Sequence, residues 1–220
     1  MRKINHPATF SNQFMPIFYD IVKDCKSILD PFAGTGKIGL LKDLGFKGKI
    51  ICNDLEAEYS EIKYYSVDEW LHQDAEFIHC EKVDTIVTSP TYGNRMADSH
   101  NARDLSKRMT YKHQLGRDLT NGNTGVMQWG EKYKQKHIAC YNHWRSLLNK
   151  DGLLVINISD HIRKGQIVNV AEWHKQTLIS LGYKFVSETK VPVSRLRFGA
   201  NNKLRIDYEY IFVFNSPLTL

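Results

Sequence analysis

The sequence predicts an α/β protein built on a doubly wound, mostly parallel β-sheet with an antiparallel final strand. Three observations carry this expectation. Short apolar, β-branched segments bounded by turn residues alternate with helical patterns along the chain. A glycine-rich turn follows the first such segment and opens a helix. The length, 220 residues, suits one sizeable core and therefore one domain.

Taken in order, an amphipathic helix is expected at "SNQFMPIFYDIVKD", then a strand at "KSILDPF", a helix at "GLLKDLGF" and a strand at "GKIIC". The run "VDTIVTS" is a buried strand that breaks off in Ser-Pro-Thr-Tyr-Gly. A long helix crosses "MQWGEKYKQKHIACYNHWRSLLNK", followed by the strand "GLLVINI" and the helix "IVNVAEWHKQTLISLGY". The last two segments, "KFVSETKVPV" and "YEYIFVF", lie close enough to pair as a hairpin, so the final strand runs antiparallel to its neighbour.

One stretch breaks the alternation. From about residue 93 to 126 the chain is polar, with a Gly/Asn-rich end, and far longer than an ordinary strand-to-helix loop. It is an insertion in the domain. Between Gly93 and Arg145 there are ten Lys/Arg against four Asp/Glu, an excess equal to the whole net charge of +6. Polyanions are the partners this concentration of charge suits. With little apolar surface to bury, Met96 to Gly125 is expected to be among the most mobile parts.

Cys25, Cys52, Cys80 and Cys140 show neither disulfide-framework nor metal-site spacing, which fits a reducing cytoplasm and no metal. No signal-like or membrane-spanning run is present, so a soluble intracellular protein without a membrane partner is expected.

In "DPFAGTGKIG", Gly34, Gly36 and Gly39 form G-x-G-x-x-G after the first strand. Such a loop turns sharply and lets a ligand approach the backbone at a helix N-terminus. Asp54 ends the second strand and Glu56 follows two residues later, a position from which a carboxylate accepts hydrogen bonds from ribose hydroxyls. A nicotinamide dinucleotide would use the same geometry. A Walker phosphate loop is excluded, because Pro31 stands where that motif needs its first glycine.

"DPFAGTG" resembles the first motif of the S-adenosylmethionine-dependent nucleic acid amino-methyltransferases, and "TSPTYG" resembles their catalytic motif, (Ser/Thr/Asp/Asn)-Pro-Pro-(Tyr/Phe/Trp). "HPATFSNQF" is similar to the family's N-terminal cofactor element, and "LLNKDGLLVINISDHIRKG" to its fifth strand. The resemblance covers nearly the whole chain and is most specific at the two motifs. It implies a Rossmann-like class I methyltransferase domain using S-adenosyl-L-methionine, held by Phe10, Asp30, Phe32, Gly34, Gly36, Asp54, Glu56 and Asp74, the last at the adenine amino group.

It also implies a chemistry for the turn. An exocyclic amino nitrogen is a poor nucleophile because its lone pair is delocalised into the base. Acceptors at its two hydrogens, Ser89 and the carbonyl of Pro90, favour the pyramidal nitrogen of the transition state. Tyr92 stacks on the flipped base. The departure is Thr91, which stands where the family usually has a second proline and so loosens Pro90.

The implied reaction is methylation of a DNA base, cytosine-N4 favoured by the Ser-Pro-x-Tyr form. Adenine-N6 methylation of DNA, an RNA base, or a silent member that only binds are the alternatives. DNA, double-stranded with a flipped base or single-stranded, is the implied partner, in the cytoplasm of a bacterial or phage-infected cell. Arg95, Arg103, Lys107, Arg108, Lys112 and Arg117 of the insertion, with Arg163, Arg195, Arg197, Lys203 and Arg205, are expected to form a basic rim beyond the strands' carboxyl ends. Trp129, Tyr133, Ile138, Cys140, Tyr141 and Trp144 read as core, and the histidines receive no role.

Overall fold

The computed structural model describes residues 6, 11–62, 64–91, 110–163, 165–194, 204 and 206–217, apart from the side chain of residue 113. Seven strands form one sheet. They are β1 (Ser27–Asp30), β2 (Lys49–Asn53), β3 (Glu69–Leu71), β4 (Val83–Thr88), β5 (Leu148–Ile158), β8 (Lys184–Pro192) and β9 (Tyr208–Asn215), in the order β3-β2-β1-β4-β5-β9-β8. A small hairpin, β6 (His161–Arg163) with β7 (Gln166–Val168), stands apart. β1 to β5 pair in parallel, and β9 lies antiparallel between β5 and β8. The expected hairpin is therefore present, and its first strand runs in the common direction. The chain order reverses between β1 and β4, where doubly wound sheets bind ligands beyond the strands' carboxyl ends.

Strand residues alternate between two cores, as a two-residue period demands when both faces are covered. Besides the short helix α2 (Tyr111–Leu115), two helices cover one face, where Leu29, Ile51, Ile86, Leu154, Ile156, Phe212 and Phe214 pack with Cys140, Tyr141, Trp144 and Leu147 of α3 (Glu131–Leu147) and Leu178 of α4 (Val170–Ser180). On the other, Ile28, Ile50, Cys52, Val87, Val155, Ile211 and Val213 pack with Phe18 and Val22 of α1 (Met15–Val22) and with Ile38 and Leu41. The buried positions of α3, namely 133, 137, 140, 141, 144 and 147, follow the 3.6-residue period. They include His137 and leave Ile138 only half-buried, one step away from the expected core stripe.

Three elements differ from expectation. "GLLKDLGF" does not form an α-helix; the glycine loop leads into a 3-10 helix, Lys37–Leu41, that ends in turns. Gly39 packs closely there, since a Cβ on it would meet the Ser66 carbonyl oxygen at 2.9 Å. The strand β3 is only three residues long and shows no alternation to detect. Ile167–Val168, expected to open a helix, belong to β7. Among the described residues no helix is long and apolar enough to cross a membrane.

Candidate functional site

The first half of the site is the glycine loop after β1. Gly34 and Gly36 have φ of 53° and 75°, a region where a side chain is strained. Asp54, just beyond β2, holds this loop from the side. Its Oδ2 accepts the Gly34 N–H at 2.8 Å and its Oδ1 accepts the Glu56 N–H at 2.9 Å. Asn53 adds a second brace, donating to the Pro31 carbonyl at 3.1 Å and the Gln73 carbonyl at 2.9 Å and accepting from the Gln73 N–H at 3.0 Å. The loops after β1, β2 and β3 are thus tied at one rim.

Asp30 ends β1 and is buried. Its Oδ1 accepts from the Phe32 N–H at 3.1 Å and from the Thr88 hydroxyl at 2.7 Å, while Oδ2 has no hydrogen-bond partner among the described residues. Burial raises both carboxyls to about 7, Asp30 despite the Thr88 bond and Asp54 despite its two backbone donors. Phe32 turns its ring toward Trp144 and His137, at centroid distances of 5.6 and 5.9 Å.

The second half is the end of β4. Thr88 binds Asp30 across the β1–β4 pair, so the turn beginning at Ser89 is bonded directly to the strand that carries the glycine loop. Ser89 is half-buried and Pro90 buried. Thr91 is held twice. Its hydroxyl donates to the Thr124 hydroxyl at 3.0 Å, and its carbonyl accepts from the Tyr133 hydroxyl at 2.5 Å. Tyr92 lies outside the described residues, as do Phe10, Arg95, Arg103, Lys107, Arg108, Arg195, Arg197, Lys203 and Arg205. His6, from the N-terminal element, sits against the loop, its ring within 2.9 Å of where a Cβ on Gly34 would stand.

Glu56 has a different occupation from the one its spacing suggests. Its carboxylate is fully buried and accepts from the Thr120 N–H at 2.8 Å, the Thr120 hydroxyl at 3.0 Å, the Asn123 amide at 2.8 Å and Arg117 at 2.6 Å. These partners belong to the insertion, so Glu56 anchors it, while the Asp54 oxygens accept from backbone N–H groups. Arg117 also pairs with both oxygens of Glu58, at 2.7 and 2.6 Å. It takes part in anchoring the insertion.

The expectation of mobility for Met96 to Gly125 rests on there being little to bury, yet part of its described stretch is buried. Thr110, Tyr111 and Thr124 are buried, and Gly125 with them. Residues 96–109 lie outside the described set. What composition concealed was a satisfied polar network on a buried carboxylate. Lys112 is exposed and paired with Asp118 at 2.7 Å, a surface pair of small energetic weight. Arg163 is exposed at the end of β6 and reaches the Trp129 carbonyl at 3.5 Å.

Asp74 is committed as well. Lys136 of α3 contacts its two oxygens at 2.6 and 2.7 Å and Glu76 at 2.8 Å. Gly122 of the insertion lies against the same carboxylate, with a Cβ position 3.0 Å from Oδ2. Ser89, Pro90, Asp30, Gly34, Gly36 and Asp54 therefore gather at one rim, while Glu56, Asp74 and Lys112 are engaged in pairing with other side chains. Thr88, Asn53 and Tyr133 join the site without a role expected there, and Arg117, expected on the basic rim, is found paired with Glu56 and Glu58. Only the position of Thr88, at the strand end, offered a signal.

No known family's sequence profile matches the chain, and no curated protein matches it in sequence. Solved structures do match it in fold. The chain superposes on the N-methyltransferase NodS from Bradyrhizobium japonicum with a TM-score of 0.53 and 11% identity over 93% of each chain. The fold is that of the class I methyltransferases. A methyltransferase from Pyrococcus furiosus matches with a TM-score of 0.55 and 14% identity, over 92% of this chain and 81% of that one. A Thermoplasma acidophilum protein gives 0.57 at 12% identity, over 94% and 88%. NodS has also been solved in complex with S-adenosyl-L-homocysteine.

Proposed function

We propose that this chain transfers a methyl group from S-adenosyl-L-methionine to an exocyclic amino group of a DNA base, cytosine-N4 in preference to adenine-N6. The observation that carries the reading is the Thr88–Asp30 bond at 2.7 Å. It places the Ser-Pro-Thr turn beside the glycine loop, so a cofactor held by one would meet a base held by the other.

The residues present suit that cofactor. Asp54 offers remaining lone pairs to two ribose hydroxyls, the glycines allow close backbone approach, and the unpartnered Asp30 Oδ2 is an acceptor suited to a cationic amino group. When bound, the cofactor supplies an electrophilic methyl on a sulfonium. This chain's part is to position and polarise the amine. Ser89 and the Pro90 carbonyl accept from the two amino hydrogens, which directs the nitrogen lone pair out of the ring, and one of those protons leaves to water as the nitrogen gains its methyl. Binding in the catalytic turn needs a base removed from its stack, with Tyr92 as the stacking surface.

The cytosine preference rests on Ser89 at the first motif position. The test is to incubate the protein with labelled cofactor and separate DNA and RNA pools, digest them and identify the modified base by mass spectrometry. N4-methylcytosine in DNA is expected. Label confined to RNA would move the substrate, and no label in either pool would leave a binding member of the fold.

A pH dependence follows from Asp54. Ribose hydroxyls donate to the ionised carboxylate, whereas in the free protein that carboxyl is held up to about 7. Ligand binding therefore lowers the pKa and releases a proton when the pH is below about 7. Affinity for S-adenosyl-L-homocysteine should rise as pH increases toward that value and level off above it. Calorimetry in buffers of different ionisation enthalpy should detect the released proton, and Asp54→Asn should make the profile shallower, leaving the part contributed by Asp30, which is likewise raised to about 7. Affinity that falls as pH rises from 5 to 7 would refute the assignment.

A further inference from the structure

Thr91 raises a physical problem that the rest of the site does not solve. A second proline would restrict the conformation of Pro90, and threonine leaves it freer. The structure supplies a different restraint behind the turn. The Tyr133 hydroxyl lies 2.5 Å from the Thr91 carbonyl oxygen and 2.8 Å from Nε2 of His174, and the Tyr141 hydroxyl lies 2.5 Å from Nδ1 of the same ring. Tyr133, Tyr141 and His174 are all fully buried.

The direction of every proton in this chain is determined. A carbonyl only accepts, so the single Tyr133 hydroxyl hydrogen points to Thr91. Its oxygen must then accept from His174, which places hydrogen on Nε2. Buried, and with the ring of His137 5.2 Å away, His174 stays neutral. Its Nδ1 is therefore bare and receives the Tyr141 hydroxyl hydrogen. Tyr141 is fixed in turn by its own helix, whose backbone carbonyl at position 141 accepts from the Tyr183 hydroxyl at 2.8 Å. The groups span α3 and α4, so two helices of the core are linked to the turn after β4. His137 anchors to the Tyr133 carbonyl at 2.8 Å and stiffens the same part of α3.

We propose that Tyr141, His174 and Tyr133 form a one-way hydrogen-bond relay that positions the Ser89–Pro90 turn through the Thr91 carbonyl, replacing the stiffness of a second proline. The proposal rests on the turn being the methyl-transfer site. These are positioning residues, since none of them touches the base or the reacting nitrogen. The relay aligns the acceptors and leaves cofactor binding to Asp54 and the glycine loop.

The decisive experiment is a double-mutant cycle on the full chain. Tyr133→Phe removes one hydroxyl and keeps the ring. It should lower kcat at least about 10-fold, the scale of a modest misplacement of catalytic groups, with KM for DNA and cofactor affinity little changed. In a Thr91→Pro background the same substitution should cost less than about twofold, because the proline restores the restraint. Equal losses in both backgrounds, or none in either, would overturn the proposal.

A second measurement works without turnover. In 15N-histidine-labelled protein, His174 should be neutral with hydrogen on Nε2, and Tyr133→Phe should speed hydrogen exchange at the Thr91 amide. The opposite tautomer, or unchanged exchange, would also overturn it. If wild type methylates no nucleic acid while both signatures are present, the relay stands and the reading of the reaction falls.

Discussion

Alanine at Ser89 is expected to lower kcat for methyl transfer by about 100-fold, the scale on which one preorganised hydrogen-bond partner of a transition state acts. In the proposed reaction the serine oxygen would accept from an amino hydrogen more strongly as the nitrogen becomes pyramidal, so its loss would fall on the transition state rather than on binding. KM and the affinity for S-adenosyl-L-homocysteine should change little. Ser89 is half-buried and lies beyond the last strand residue, so the variant should fold and melt like wild type. Steady-state kinetics with DNA, beside calorimetry with the demethylated cofactor, separates the two effects. Equal losses in kcat and in cofactor affinity would place Ser89 in the cofactor site instead.

Asp54→Ala acts at the opposite end of the reaction coordinate. Two charge-assisted hydrogen bonds to a ribose, each about 1.5–3 kcal/mol, correspond to a loss of cofactor affinity of about 100-fold or more. The same substitution strips acceptors from the Gly34 and Glu56 N–H groups, so the loop loses its brace as well as the proposed ligand contact. Asp54→Asn separates these roles, since its amide oxygen still accepts a backbone hydrogen while the charge is gone. Calorimetry should rank wild type above Asp54→Asn and Asp54→Asn above Asp54→Ala. Tight binding of NADH with none of S-adenosyl-L-homocysteine would exchange the cofactor for a nicotinamide dinucleotide.

Both predictions concern residues that local pattern identifies, and the reason is physical. Ser89 and Asp54 follow strands whose apolar runs are short and bounded, so their place at the sheet's carboxyl rim follows from the two-residue period and the parallel order. The pairing of Glu56 is not legible in the sequence, because spacing from a strand end says nothing about a partner about sixty residues away. Arg117, Thr120 and Asn123 reach its carboxylate only when the insertion folds back. Asp74 illustrates the same limit, since its oxygens are engaged by Lys136 from α3.

By itself the sequence determined the α/β class, the parallel sheet with its antiparallel last strand, the glycine loop and the place of the Ser-Pro-Thr turn, all written in residues close together in the chain. Only tertiary structure decided that Thr88 bonds Asp30, that the insertion's end is anchored on a buried glutamate, and that His174 lies between two phenols behind Thr91. Periodicity shows which face of an element is buried. Which polar group meets which inside that face depends on contacts between residues distant in sequence, and these arise only when the layers have packed.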